Sequence, residues 1–127
     1  MVRVLVVDDS RVMRAYIRGA LKESLDCAVV EAASGFEALR LLPRETYDVV
    51  ITDINMPDIN GLELIRFVRK SERHREVPIV IVSTQSSDRD RERALELGAD
   101  RFLGKPFRPE DIVDAVSRVV QPGGVEA

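Results

Sequence analysis

The sequence predicts an open α/β fold, a parallel sheet of five strands covered by helices on both faces. Short apolar runs rich in β-branched residues alternate five times with segments of helical spacing. The apolar runs are nearly continuous, as strands buried on both faces are, with no half-buried alternation. The 127 residues suit one domain, and 45% hydrophobic content suffices for a core of Val, Leu, Ile and Ala, since aromatics make up only 5%.

Val2, Val4, Leu5, Val6 and Val7 read as the first strand. Asp9 or Ser10 can cap the helix that follows. Val12, Met13, Tyr16, Ile17, Ala20, Leu21 and Leu25 keep helical spacing to about Leu25. Residues 28–32 form the second strand. Ser34 and Gly35 open a second helix over 36–42, and Pro43 helps end it. Residues 48–52 form the third strand, with Asp53 at its end. The turn-rich loop Met56, Pro57, Asp58, Asn60, Gly61 leads to a third helix built on Leu62, Leu64, Ile65 and Val68. Pro78 starts the fourth strand, 79–82. A polar loop, 83–87, precedes a highly charged helix over 88–97, which Gly98 closes. Residues 101–103 are a short fifth strand. Pro109 starts a last helix with Ile112, Val113, Val116, Val119 and Val120 inward. The pattern then ends, so residues 1–121 are expected as the domain and 122–127 as a disordered tail or the start of a linker.

Composition excludes several classes. A net charge of −3 with no clustered basic face argues against direct nucleic-acid binding. No stretch approaches the roughly 20 apolar residues of a membrane span, and no signal-peptide core is present. A cytoplasmic protein is expected. Cys27 is the only cysteine, so no internal disulfide can form and a buried, inert thiol is expected. His74, the only histidine, lies in a hydrophilic stretch and is not expected to bind metal or act as an acid–base. The cluster Arg66, Arg69, Lys70, Arg73, His74, Arg75 reads as ordinary helix-end charge, and 88–93 as a solvated face with Asp–Arg pairs.

The chemistry is expected at the carboxyl ends of the strands, where doubly wound sheets bind ligands. Asp8 and Asp9 end strand one, Asp53 ends strand three, Ser83 ends strand four, and Lys105 follows strand five. If strands one and three are neighbours, as in the order 2-1-3-4-5, three carboxylates share one pocket. Like charges at that range push at least one to keep its proton. A divalent cation removes the cost, and an oxygen-only donor set favours Mg²⁺. Such a site suits phosphoryl transfer, with one carboxylate as nucleophile, Lys105 as a further positive charge and the Ser83 hydroxyl as donor to a phosphoryl oxygen.

These marks, together with Asp53-Ile54-Asn55-Met56-Pro57, Asn60-Gly61 and Lys105-Pro106-Phe107, resemble the response-regulator receiver domains of two-component signalling over about residues 2–120. The flavodoxin-like strand order 2-1-3-4-5, for which chemotaxis receivers are themselves the standard example, comes with the resemblance. The resemblance implies that Asp53 is the phosphoacceptor. Asp9, Asp53 and the Asn55 backbone carbonyl would be Mg²⁺ ligands, with Asp8 acting through water. Lys105 would contact the phosphoryl group, and the Lys105–Pro106 bond would be cis. Ser83 and Phe102 would be switch residues, and Asn55 and Gln85 would flank the site and tune phosphate loss. The implied partners are a histidine kinase or phosphotransfer protein as donor, and a downstream protein at the helix 4–strand 5–helix 5 face. The function is then a signalling switch, not an enzyme. A stand-alone chemotaxis-like or relay receiver is the preferred form, with an N-terminal fragment of a larger regulator as the alternative. A flavodoxin-like cofactor binder is disfavoured because Asp8-Asp9 would repel a cofactor phosphate. An aspartyl-phosphate hydrolase is disfavoured because no further acid–base or substrate-covering insertion is visible.

Overall fold

The computed structural model describes residues 1–84 and 88–120. Strands and helices alternate as β1 (Val2–Val7), α1 (Arg11–Ser24), β2 (Cys27–Ala32), α2 (Gly35–Leu41), β3 (Val49–Asp53), α3 (Gly61–Lys70), β4 (Ile79–Ser83), α4 (Asp88–Leu97), β5 (Arg101–Gly104) and α5 (Pro109–Val120). All strand pairs are parallel and the order is β2-β1-β3-β4-β5. The fold class and strand order are those expected. The ends differ by a residue or two: β2 takes in Cys27, and β3 keeps Asp53 inside the ladder, opposite Val82 of β4.

Successive strand residues point to opposite faces, and the continuous apolar runs follow from this because both faces are covered. Leu5, Val7, Val50, Ile79 and Ile81 pack against Ala38 of α2, Leu64, Ile65 and Val68 of α3, and Ala94 of α4. Val4, Val6, Val49, Ile51, Val80 and Val82 pack against Ile17 and Leu21 of α1 and Ile112 and Val116 of α5. Cys27 is buried in this second layer. Polar residues at the helix starts satisfy otherwise orphaned N–H groups. Ser10 accepts from the Met13 N–H and Ser34 from the Glu37 N–H, while Asn60 and Glu63 form a reciprocal capping box on α3. Among the described residues, no helix is long and apolar enough to cross a membrane.

The end of the sheet opposite Asp53 departs from the sequence reading. His74 is not surface charge: it is 1% exposed, and its Nε2 accepts the Tyr47 backbone N–H at 3.1 Å. Its Nδ1 has no partner among the described residues. Burial pushes the His74 pKa below the ordinary histidine value, and the nearby Arg73 charge adds to this. Arg69 is likewise an anchor, donating to the carbonyls of Arg75, Val77 and Gly98 and pairing with Asp100. Gly98 has a φ of 119° and a Cβ there would meet Arg69 Nε at 2.7 Å, so glycine suits both the turn and the passage of the arginine.

Two outcomes are expected. Ile65→Ala, which empties a fully buried site against the sheet, lowers the unfolding free energy by about 2–5 kcal/mol in urea titration. His74 is neutral when folded, so its contribution is complete above the unfolded histidine pKa of about 6.5 and is lost as pH falls through that value toward the lower folded pKa. Wild type therefore loses more stability between about pH 7.5 and 5.5 than His74→Gln does; parallel curves for the two proteins would contradict this.

Candidate functional site

β1 and β3 are adjacent in the sheet, and their crossovers leave in opposite directions toward β2 and β4. This is the switch point at which doubly wound sheets form a crevice. Asp8 follows β1 directly and Asp53 is the last residue of β3. Carboxylate oxygens of Asp8, Asp9 and Asp53 all lie within 4.8 Å of one another. Asp8 is 1% and Asp53 7% exposed, whereas Asp9 faces solvent.

Lys105, just past β5, reaches into this group. Its Nζ donates to Asp8 Oδ2 at 3.1 Å and to Asp53 Oδ2 at 3.2 Å. Asp8 Oδ1 accepts the Ser10 N–H at 2.8 Å, and Asp53 Oδ1 accepts the Asn55 N–H at 3.3 Å. Burial pushes the Asp53 carboxyl above the ordinary aspartate value; Lys105 and the Asn55 N–H pull it down, and the Asp8 charge pushes it up. Burial pushes Lys105 down, but the charges of Asp53 and Asp8 outweigh it and the net shift is upward. Burial is the largest single influence on both groups, and the ammonium stays charged against it because two buried carboxylates face it.

Ser83, the last residue of β4, is fully buried, and its carbonyl accepts the Lys105 N–H at 2.9 Å. The Lys105–Pro106 peptide bond is cis. The structure thus brings Asp8, Asp9, Asp53, Asn55, Ser83, Lys105 and Pro106 to one edge of the sheet. Phe102 stands apart. It is half-buried on β5, packs toward the α3–α4 layer, and carries the Arg91 guanidinium 5.8 Å from its ring centroid. Gln85 and residues 121–127 lie outside the described residues.

The loop after Asp53 is held by contacts that its turn composition alone does not specify. The Gly61 N–H donates to the Ile54 carbonyl at 2.8 Å, and a Cβ on Gly61 would lie 2.2 Å from the Asp53 carbonyl oxygen. Only glycine lets α3 start so close to Asp53. Asp58 accepts the N–H groups of Gly35 and Phe36 at the start of α2, and the Phe36 N–H is the main cause of its lowered pKa. Arg14 of α1 donates to the Asp8 carbonyl at 2.7 Å and to Glu31 of β2 at 2.9 Å. The sequence reading gave Asp58 only a place in a turn-rich loop and missed Arg14. The available signal for Arg14 was Glu31, a lone acid inside an apolar strand, with Arg14 and Arg18 spaced four apart on α1.

Three carboxylates with one lysine, set at the carboxyl edge of a five-stranded sheet, can hold a hard cation and present a nucleophilic oxygen beside two donor groups. The pattern of the response regulator receiver domain matches residues 4–117. This chain belongs to the response regulator receiver family. The receiver is 38% identical over 125 residues to a chemotaxis protein CheY homolog of Campylobacter jejuni, covering 98% of this chain and 96% of that protein. It is 43% identical over 119 residues to the two-component response regulator ORR5 of Oryza sativa, covering 93% and 88% respectively. The solved structure of the chemotaxis response regulator CheY4 of Vibrio cholerae superposes on the receiver with a TM-score of 0.88 at 34% identity, covering 94% of this chain and 98% of that one. The receiver is thus a CheY-like signalling domain, and its acidic pocket is one that could bind a metal.

Replacing Gly61 by Ala forces the Asp53 carbonyl and the Ile54 backbone to shift. The expected cost is about 1–3 kcal/mol in thermal or chemical unfolding, the usual range for overpacking, together with a displaced Asp53 amide resonance in NMR spectra. An unchanged spectrum would show that α3 can start elsewhere.

Proposed function

We propose that this receiver accepts a phosphoryl group on Asp53 from a phosphohistidine of a histidine kinase or phosphotransfer protein, and that the product switches binding of a downstream protein. The observation that carries this reading is the position of Asp53. It is the middle member of the site, with Asp8 just past β1 to one side, Ser83 on β4 to the other and Lys105 Nζ at 3.2 Å. Asp53 would be the nucleophile: its carboxylate oxygen forms the new bond to phosphorus as the P–N bond breaks, and the departing imidazole keeps the electron pair. Lys105 is placed to balance charge on the transferred group, and the Ser83 hydroxyl, at the end of the neighbouring β4, would be recruited as a donor.

The donor set fits Mg²⁺. It offers oxygen alone, and three carboxylates face one ammonium, so a further cation offsets the excess negative charge. Asp9, Asp53 and the Asn55 carbonyl would hold it, with Asp8 acting through water; when bound it supplies charge neutralisation for the phosphoryl oxygens and the nucleophile. Asp9 suits a ligand role because its carboxylate has no hydrogen bond among the described residues, unlike that of Asp8.

Phosphorylation adds negative charge and acceptor oxygens to a cluster whose ammonium is already engaged. Lys105 and Ser83 would be drawn toward the new group, and Phe102 would change its population of inward and outward states. The surface of α4, β5 and α5, where Leu95 is exposed and Arg91 covers Phe102, would be the partner face. Residues 1–121 would be the functional unit. A stand-alone chemotaxis-like or relay role fits relatives that this chain covers almost end to end.

Incubation with a small-molecule phosphodonor and Mg²⁺ should add a single phosphate, read by intact-protein mass spectrometry. Asp53→Asn should abolish the addition, and Lys105→Met should slow it by about 100-fold or more, the scale of losing one preorganised charge-stabilising donor. Undiminished labelling of Asp53→Asn would remove the assignment, and chelation of Mg²⁺ should stop labelling of wild type.

A further inference from the structure

We propose that Arg14 is the positioning residue for the Asp8–Asp9 pair, acting as a strut between β2 and the backbone of the acidic junction. The inference rests on the reading of this cluster as a cation site. The junction has only three residues, Asp8, Asp9 and Ser10, between the end of β1 and the start of α1. Asp8 is held at every polar position: its N–H donates to the Ala32 carbonyl, Oδ1 accepts from Ser10, Oδ2 from Lys105 and the carbonyl from Arg14. Asp9 has no such ties among the described residues. Its aim therefore depends on the backbone that carries it.

The Asp8 carbonyl and the Asp9 N–H belong to one planar peptide unit. A donor fixed on that carbonyl sets the rotation of the plane, and with it the direction in which Asp9 leaves the backbone. Arg14 is well suited to do so. Its Nε donates to Glu31 Oε1 at 2.9 Å while one terminal nitrogen donates to the Asp8 carbonyl at 2.7 Å. Glu31 is itself held by Arg18 at 2.9 Å through its other oxygen. Burial pushes the Glu31 carboxyl up, but hydrogen bonds and charge from Arg14 and Arg18 outweigh it and the net shift is downward, so Glu31 is a charged anchor at neutral pH. The planar fork of an arginine reaches two acceptors at a fixed angle, and a lysine does not reproduce it.

The sign of the effect separates positioning from plain electrostatics. Removing a positive charge beside a cation site should tighten cation binding if charge alone mattered. Loss of the strut should weaken it, because groups that orient metal ligands typically carry 10- to 100-fold in affinity. Calorimetric titration of the full chain with Mg²⁺ alone should show Arg14→Gln and Arg14→Lys binding about 10- to 100-fold more weakly than wild type. Both should retain a cooperative melt by circular dichroism. Arg118→Ala, which removes an exposed arginine paired only with Asp114 of α5 among the described residues, should bind as wild type does. Equal or tighter binding by a folded Arg14 variant overturns the proposal, and Arg14→Lys alone decides it if Arg14→Gln does not fold. Failure of wild type to bind Mg²⁺ overturns the cation reading itself and this inference with it.

Discussion

Two buried aspartates from separate strands share one lysine, with a third aspartate at their edge. Like charges this close are costly away from water, and the structure tolerates them because Lys105 Nζ bridges Asp8 and Asp53 at 3.1 and 3.2 Å. Burial still pushes the Asp53 carboxyl above the ordinary aspartate value. Three carboxylates beside one ammonium make this a pocket that could bind a metal. The parallel sheet is the constraint behind it, because only the adjacency of β1 and β3 brings residues 45 apart in sequence into one group.

The pocket is held from both sides by backbone hydrogen bonds, not by side-chain packing alone. On the β3 side, Gly61 lets α3 begin against Asp53, and the Asn60–Glu63 capping box fixes the start of that helix. Asp58 then ties the same loop to α2. On the β1 side, Ser10 caps α1 with its side chain, while its own N–H donates to Asp8. Such restraints limit the rotation of the acidic side chains and so lower the ordering cost of binding a charged ligand.

Much of the site was readable because its chemistry falls at element ends, and element ends carry strong local signals. An Asp directly after Val-Val-Ile-Thr is poorly explained by turn chemistry, and Asp8-Asp9 ending an apolar run is similar. His74 and Arg69 were misread for the converse reason. Both sit in a charged stretch that looks solvated, yet His74 is sealed beneath Tyr47 and Arg69 caps the turn after α4. Tyr47 lies 27 residues from His74 and Gly98 lies 29 from Arg69, and no local pattern reports a contact at that range. The contacts of Arg14 and Asp58 escaped notice likewise, since their importance lies in which distant backbone groups they reach.

By itself the sequence determined the element types, their alternation, the apolar composition of each strand and the inventory of acids, hydroxyl and lysine at the strand ends. These follow from periodicity and residue chemistry, which are local. Tertiary structure decided which charges meet: that Asp8 and not Asp9 shares Lys105 with Asp53, that Asp9 is exposed and its side chain has no hydrogen bond among the described residues, and that Arg14 reaches the carbonyl between them. Those outcomes depend on strand register and on distances of a few ångströms between segments far apart in the chain. Coulombic and hydrogen-bond energies change steeply over that range, so only the folded arrangement could settle them.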